Sequence, residues 1–189
     1  MFINNSGDHI EGGKFQFLAQ IAPDVPVTDI TFSGLDGDAD RVYGLSFLWR
    51  NPLTGARKLM FQPNGDTPPA GSSMQVHDFE ILGLAGGDSN DADFGIAALT
   101  ANTADRFVQG AAFFAAMQAS ADGSPVGRTF KGEGYCEDSA IIVGARRHHY
   151  TRQGFWAEVA TKMESLTIAT NPTAAAIDAG SDFRLWKIQ

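Results

Sequence analysis

Asp36, Asp38 and Asp40 stand at alternate positions in Asp36-Gly37-Asp38-Ala39-Asp40 and form a dense set of hard oxygen donors. Alternate carboxylates of this kind can offer several oxygens to calcium. An EF-hand loop counted from Asp36 needs glycine at its sixth place and glutamate at its twelfth. Those places hold Arg41 and Phe47, so that motif is absent. The segment reads either as a calcium turn of another kind or as a tight turn whose aspartates cap backbone N–H groups between two strands. The capped turn is the expectation. Asp88, Asp91 and Asp93 form a similar group with the same two readings.

Other clusters are weaker. Gly87-Asp88-Ser89 resembles the serine block of SGNH-type esterases. That chemistry needs a downstream histidine, with an acid three residues before it, to activate the hydroxyl. Ala145 and Arg146 stand three residues before His148 and His149, so the tripeptide reads as a polar loop. Arg146-Arg147-His148-His149-Tyr150-Thr151-Arg152 is a basic patch in an acidic chain. Neighbouring residues of a strand point to opposite faces, so the two histidines cannot share a metal from a regular strand. The patch reads as a solvated face or as a contact to an acidic partner. Gly132-Glu133-Gly134 lacks the third glycine of a dinucleotide turn and reads as a strand bend. Trp49, Trp156 and Trp186 could stack on sugar rings, but all three lie in apolar or alternating segments, where at least two are expected to anchor a core. No catalytic, cofactor-binding or metal-ligating residue is assigned.

The elements that would hold these residues are short strands. Lys14–Gln20 and Val27–Phe32 alternate, with Thr28, Ile30 and Phe32 on one side. Ser33–Asp40 is a turn. Arg41–Arg50 is the clearest strand, with Tyr43, Leu45, Phe47 and Trp49 on one face. Asn51-Pro52-Leu53-Thr54-Gly55 predicts a hairpin into a returning strand, Arg57–Gln62, closed by Pro63-Asn64-Gly65-Asp66. Met74–Leu84 is a further apolar segment, and Gly83–Asp93 a loop. Asp105–Gln118 fits either a helical or a strand face. Its alanines favour helix and its neighbours strand, and strand is the expectation. Asp122-Gly123-Ser124-Pro125 predicts a hairpin tip with Arg128–Tyr135 returning. Ile141–Thr151 and Trp156–Ile168 hold strand-like runs, and Asp182–Ile188 alternates cleanly. Eight to ten strands separated by turns predict an all-β, antiparallel sandwich of jelly-roll type, with at most one or two short helices. No linker divides residues 1–189, so one domain is expected.

Composition agrees with a packed scaffold. The 189 residues are 43% hydrophobic and 19% charged, with 14 phenylalanines and 21 glycines. The net charge of −8, from 22 acidic and 14 basic side chains, argues against a general nucleic-acid binder, which needs a basic face. Cys136 is the single cysteine, so no intramolecular disulfide forms, which fits folding in a reducing cytoplasm. No apolar run approaches the ~20 residues of a membrane helix. Met1–Asp8 lacks a basic region followed by an apolar stretch, so no signal peptide and no membrane partner are expected.

Three segments together resemble small β-rich virion proteins of tailed bacteriophages. They are Ile30–Tyr43 with its Gly34-Leu35-Asp36-Gly37-Asp38-Ala39-Asp40 turn, Leu59–Asp66 with Pro63-Asn64-Gly65-Asp66, and the C-terminal Thr161–Ile168 with the lysine-bearing aromatic strand Asp182–Ile188. Gln62 stands where that pattern carries a basic residue, and the alanine-rich Ala111–Ala121 lies outside it. The resemblance covers about half of the chain and brings no catalytic residues with it. It implies a non-enzymatic virion protein made in the host cytoplasm: a capsid decoration (cement), head-spike or tail-associated subunit. Its partners would be the major capsid protein or other virion proteins and further copies of itself, with a trimer favoured. The alternative is a carbohydrate- or receptor-binding module at a tail tip or fibre.

Overall fold

Alternation decides the longest early strand. Tyr43, Leu45, Phe47 and Trp49 are buried, while Val42, Ser46, Leu48 and Arg50 between them are half-buried on the other face. A computed structural model describes residues 15–53, 57–65, 74–80, 95–98, 106–117, 128–138, 146–156, 161–171 and 174–188. Among these the chain runs β1 (Phe15–Ile21), β2 (Asp29–Ser33), a single helical turn α1 (Gly37–Asp40), β3 (Val42–Asn51), β4 (Arg57–Pro63), β5 (Met74–Glu80), β6 (Gly95–Ala98), β7 (Arg106–Ala115), β8 (Arg128–Asp138), β9 (Arg146–Trp156), β10 (Ser165–Asn171) and β11 (Asp182–Ile188).

The strands form two antiparallel sheets. One holds seven strands in the order β1-β11-β3-β7-β8-β9-β5, the other four in the order β2-β10-β4-β6. Leaving out β5, β8 and β9, eight strands remain. In chain order they lie first-eighth-third-sixth in one sheet and second-seventh-fourth-fifth in the other. This is the double Greek key of a jelly roll. β8 and β9 extend the larger sheet as a meander, and β5 leaves the chain between the fourth and fifth strands to close the far edge beside β9.

Two local expectations are settled by pairing. Asp105–Gln118 forms β7, with β3 on one side and β8 on the other. Two ladders of backbone hydrogen bonds override the helix propensity of its alanines. Phe107, Ala111 and Phe113 form its outer row, whereas Val108, Ala112 and Phe114 line the core. The predicted hairpin at Asn51–Gly55 is corrected: β3 and β4 lie in different sheets. Both edges of β3 are already taken, by β11 and β7. The turn signal therefore reverses the chain across the sandwich, from one layer to the other. The predicted hairpin Asp105–Tyr135 does pair, as β7 with β8, although its tip lies outside the described residues. The strand runs predicted over Ile141–Ile168 resolve into β9 starting at Arg146 and β10 starting at Ser165.

The core closes around Phe61 of β4. Its ring lies 6.1 Å from Phe47, 5.6 Å from Phe114 and 5.4 Å from Phe130, all on the opposite sheet. Phe47 also stacks on Phe183 of β11, with centroids 6.3 Å apart. Trp49 is buried and satisfies its indole N–H on the Ala176 carbonyl oxygen at 2.7 Å, as a buried tryptophan must.

Candidate functional site

The aspartate turn is an architectural brace. Asp36 caps α1, its Oδ1 accepting from the Ala39 N–H at 3.3 Å, and Lys162 Nζ stands 3.6 Å from its other oxygen. The Ala39 N–H, with Lys162 adding to it, holds the Asp36 carboxyl below its ordinary value. Asp40 closes the turn. Its Oδ2 accepts from the Tyr43 hydroxyl at 2.8 Å and its Oδ1 from Lys187 Nζ at 2.8 Å. Both partners of the ion pair are largely buried. Burial, and then the neighbouring Asp40 carboxylate, push the Tyr43 hydroxyl above its ordinary range, so it remains a donor. The capped-turn expectation therefore describes Asp36, and Asp40 is engaged by a tyrosine and a lysine.

The segments that carry the virion resemblance meet in this brace. Leu35 N–H donates to the Glu164 carbonyl oxygen at 2.9 Å, and Gly37 N–H to that of Met163 at 3.0 Å. Asn64, in the Pro63-Asn64-Gly65 turn, accepts on Oδ1 from Glu164 N–H at 2.7 Å and Ser165 N–H at 3.1 Å. Its Nδ2 donates to the Lys162 carbonyl oxygen at 2.8 Å. Its φ of 54° lies in the left-handed region that asparagine tolerates. Gly37 has no room for a side chain, because a Cβ there would sit 2.8 Å from the Ala116 carbonyl oxygen and 2.9 Å from Met163 Cβ. Arg41, with φ 64° and ψ −48°, closes the turn, its N–H bonded to the Gly37 carbonyl oxygen.

The remaining sequence candidates scatter. Trp49 and Trp156 are buried in the core. The Arg128 guanidinium lies over the Trp156 ring at 3.7 Å, and Arg128 Nη1 donates to the Thr161 carbonyl oxygen at 2.6 Å. Trp186 is half-buried on the outer face of the larger sheet, edge-on to Phe17 with centroids 6.0 Å apart. Gly132 and Gly134 are buried mid-strand positions of β8, facing Ala112 and Gly110 in register, and belong to no phosphate loop. His148 and His149 occupy consecutive β9 positions opposite Cys136 and Tyr135, and Arg146 and Arg147 face Asp138 and Glu137 in register. Gly87-Asp88-Ser89 and the Asp88, Asp91, Asp93 group lie outside the described residues. Among the described residues no three His, Cys, Asp or Glu side chains gather as a metal-binding group.

Sequence reasoning missed the most conspicuous surface. Antiparallel register lays two rows of residues across the outer face of the larger sheet. One row is Phe15, Ile188, Val42 and Ala115, and the next is Phe17, Trp186, Gly44 and Phe113, which the exposed Lys131 continues on β8. The eight residues on β1, β11, β3 and β7 carry no charge, and Lys131 bounds them on the β8 side. Phe15, Phe17 and Phe113 are 66%, 51% and 48% exposed. A Cβ on Gly44 would meet Ile188 Cδ1 and Phe113 Cε1 at 3.5 Å each, so those two side chains cover the glycine. The row beyond is polar: Gln20, Arg184, Ser46, Ala111 and Glu133. Alternation in the sequence pairs Phe15 with Phe17 on one face but does not say that this face is the wet one. A separate cleft of about 350 Å³ opens between β1 and β2, the outermost strands of their sheets among the described residues, walled by Leu18, Ile21, Phe32, Leu35 and Leu185, with Asp40 also in its lining. It offers shape and apolar contact.

Comparison with known proteins returned no match: no family model, no curated protein and no solved structure matches the chain.

Proposed function

We propose that this chain is a non-enzymatic structural subunit of a tailed-bacteriophage particle, a capsid decoration (cement) or head-spike protein that binds the shell and other copies of itself. The observation that carries the reading is the aromatic plot, bordered by Lys131, on the outer face of a jelly roll, since proteins keep large apolar patches for contact surfaces. The residues behind the virion resemblance support it in their own way. Asp36, Asp40, Asn64 and Lys187 are engaged in bracing one end of the sandwich, as a load-carrying scaffold requires. The test is reconstitution. Purified protein added to shells stripped of it rebinds at a fixed ratio, and shells that remain bare overturn the reading.

One observation favours a second reading. The Phe17–Trp186 pair presents aromatic edges and faces to solvent, as a sugar platform of a tail-tip module would. Binding on a glycan array that Trp186→Ala abolishes would place the glycan reading first.

A further inference from the structure

We propose that the apolar plot is the surface through which two copies of this chain associate, plot against plot, about a two-fold axis. The inference rests on the assembly reading above and names the partner of that surface.

Area comes first. Phe15, Phe17 and Phe113 are 66%, 51% and 48% exposed. An aromatic side chain offers ~150–250 Å², so these three rings alone leave on the order of 300 Å² of apolar surface in water. Half-buried Trp186, Ile188, Val42 and Ala115 add to it. This reaches the size of the largest patch on a typical monomer, about 300–600 Å². It is a large part of the ~800 Å² that each partner contributes to a stable interface.

Charge comes second. Each copy carries a net charge of −8. Two such copies repel least where they meet on a face without carboxylates, and the plot holds none; Lys131, in register with Phe113, borders it with a positive charge. The polar row beside it carries both signs, in Arg184 and Glu133, so an apposed copy does not set a single-sign border against itself.

Symmetry comes third. A head-to-tail ring needs a second, different surface to receive the plot, whereas a two-fold pair needs only the plot itself. Among the described residues the other exposed large hydrophobic side chains are Val25 and Phe107, and they stand apart. Val25 lies between β1 and β2. Phe107 is six residues from Phe113 along β7, about 20 Å away, with the Arg50 guanidinium 6.0 Å from its ring. Neither makes a counterpart patch. The apolar cleft between β1 and β2 could receive a ring of the plot head to tail, and the odd-numbered oligomer that such a contact can close would overturn the pairing. Two plots stacked at the usual ~10 Å sheet spacing would exclude water from both.

The experiment is sedimentation velocity on the full chain at micromolar concentration, beside the variants Phe17→Glu and Phe113→Glu. The wild type is expected to sediment as a dimer that sulfate tightens. Each variant is expected to dissociate at least ~100-fold more readily, with the far-UV circular dichroism of the wild type and a thermal midpoint that no longer rises with protein concentration. Phe15→Glu, at the most exposed position, replaces any variant that misfolds. A monomeric wild type, an odd-numbered oligomer, or a dimer indifferent to these charges overturns the inference. So does a monomer that pairs only after residues 2–13 are deleted, which would assign the plot to the chain's own N-terminal segment. A monomer that rebinds shells through Phe113 overturns the self-pairing and leaves the structural reading standing. A dimer that ignores shells does the reverse.

Discussion

Asp40 shows what a single charged residue does in this molecule. Its carboxylate sits in a largely dry position and receives one hydrogen bond from Tyr43 and one from Lys187. Removing one partner of such a pair leaves a charge without compensation, whereas removing both charges costs much less. Lys187→Met is therefore expected to cost about 3 kcal/mol in urea unfolding. The Asp40→Asn, Lys187→Met double variant should recover a clear part of that loss. Asp36 differs because it is exposed. Its carboxyl is held below 3.8 by the Ala39 N–H first and by Lys162 after it. A carboxyl depressed in the fold stabilises it above the unfolded value, and this contribution is lost as pH falls through the folded value. An NMR titration should place the Asp36 midpoint under 3.8, and Lys162→Met should move it only part of the way back. Arg41 holds φ 64° with ψ −48°, a strained conformation for a side-chain-bearing residue. Arg41→Gly is expected to stabilise the fold by about 1 kcal/mol.

Strands here are held by what crosses between them. Phe61 touches three rings of the facing sheet, so Phe61→Ala opens the centre of the sandwich and is expected to cost about 4 kcal/mol in equilibrium unfolding. β7 and β8 approach closely at Gly110, where a Cβ would collide with the Glu133 carbonyl oxygen and come within 2.5 Å of Phe47 Cζ. Gly110→Ala should destabilise more than any exposed substitution on the same strand. Elements of this kind were legible where side chains alternate. Tyr43, Leu45, Phe47 and Trp49 fall on one face of β3, and Phe183 and Leu185 on one face of β11, and these are the faces the structure buries. Alternation is weaker in Asp105–Gln118, where small alanines fit either periodicity. There the neighbours β3 and β8 made the choice.

At the scale of the molecule, net charge controls encounters and the neutral plot controls contact. With a sequence pI near 4.8, mutual repulsion falls as pH drops from 7 towards 5. At a concentration dilute enough that the pair is partly dissociated at pH 7, light scattering should therefore show association strengthening over that interval, and Phe113→Glu should blunt the rise. Wild-type protein whose scattering stays flat at that dilution would separate the plot from self-contact. The brace ties the α1 turn to β11 through Asp40 and Lys187, one residue along the strand from Trp186.

By itself the amino-acid sequence determined the fold class, the strand faces and the capped turn at Asp36, because alternation, glycine and aspartate act over a few neighbouring residues. Only the tertiary structure decided that β3 and β4 part into separate sheets, that Asp40 meets Lys187 across 147 positions, and that Phe15, Phe17, Trp186 and Phe113 share one wet face. A local pattern says that two faces differ. Which of them meets the core is decided by partners far away along the chain, once their backbone hydrogen bonds are made.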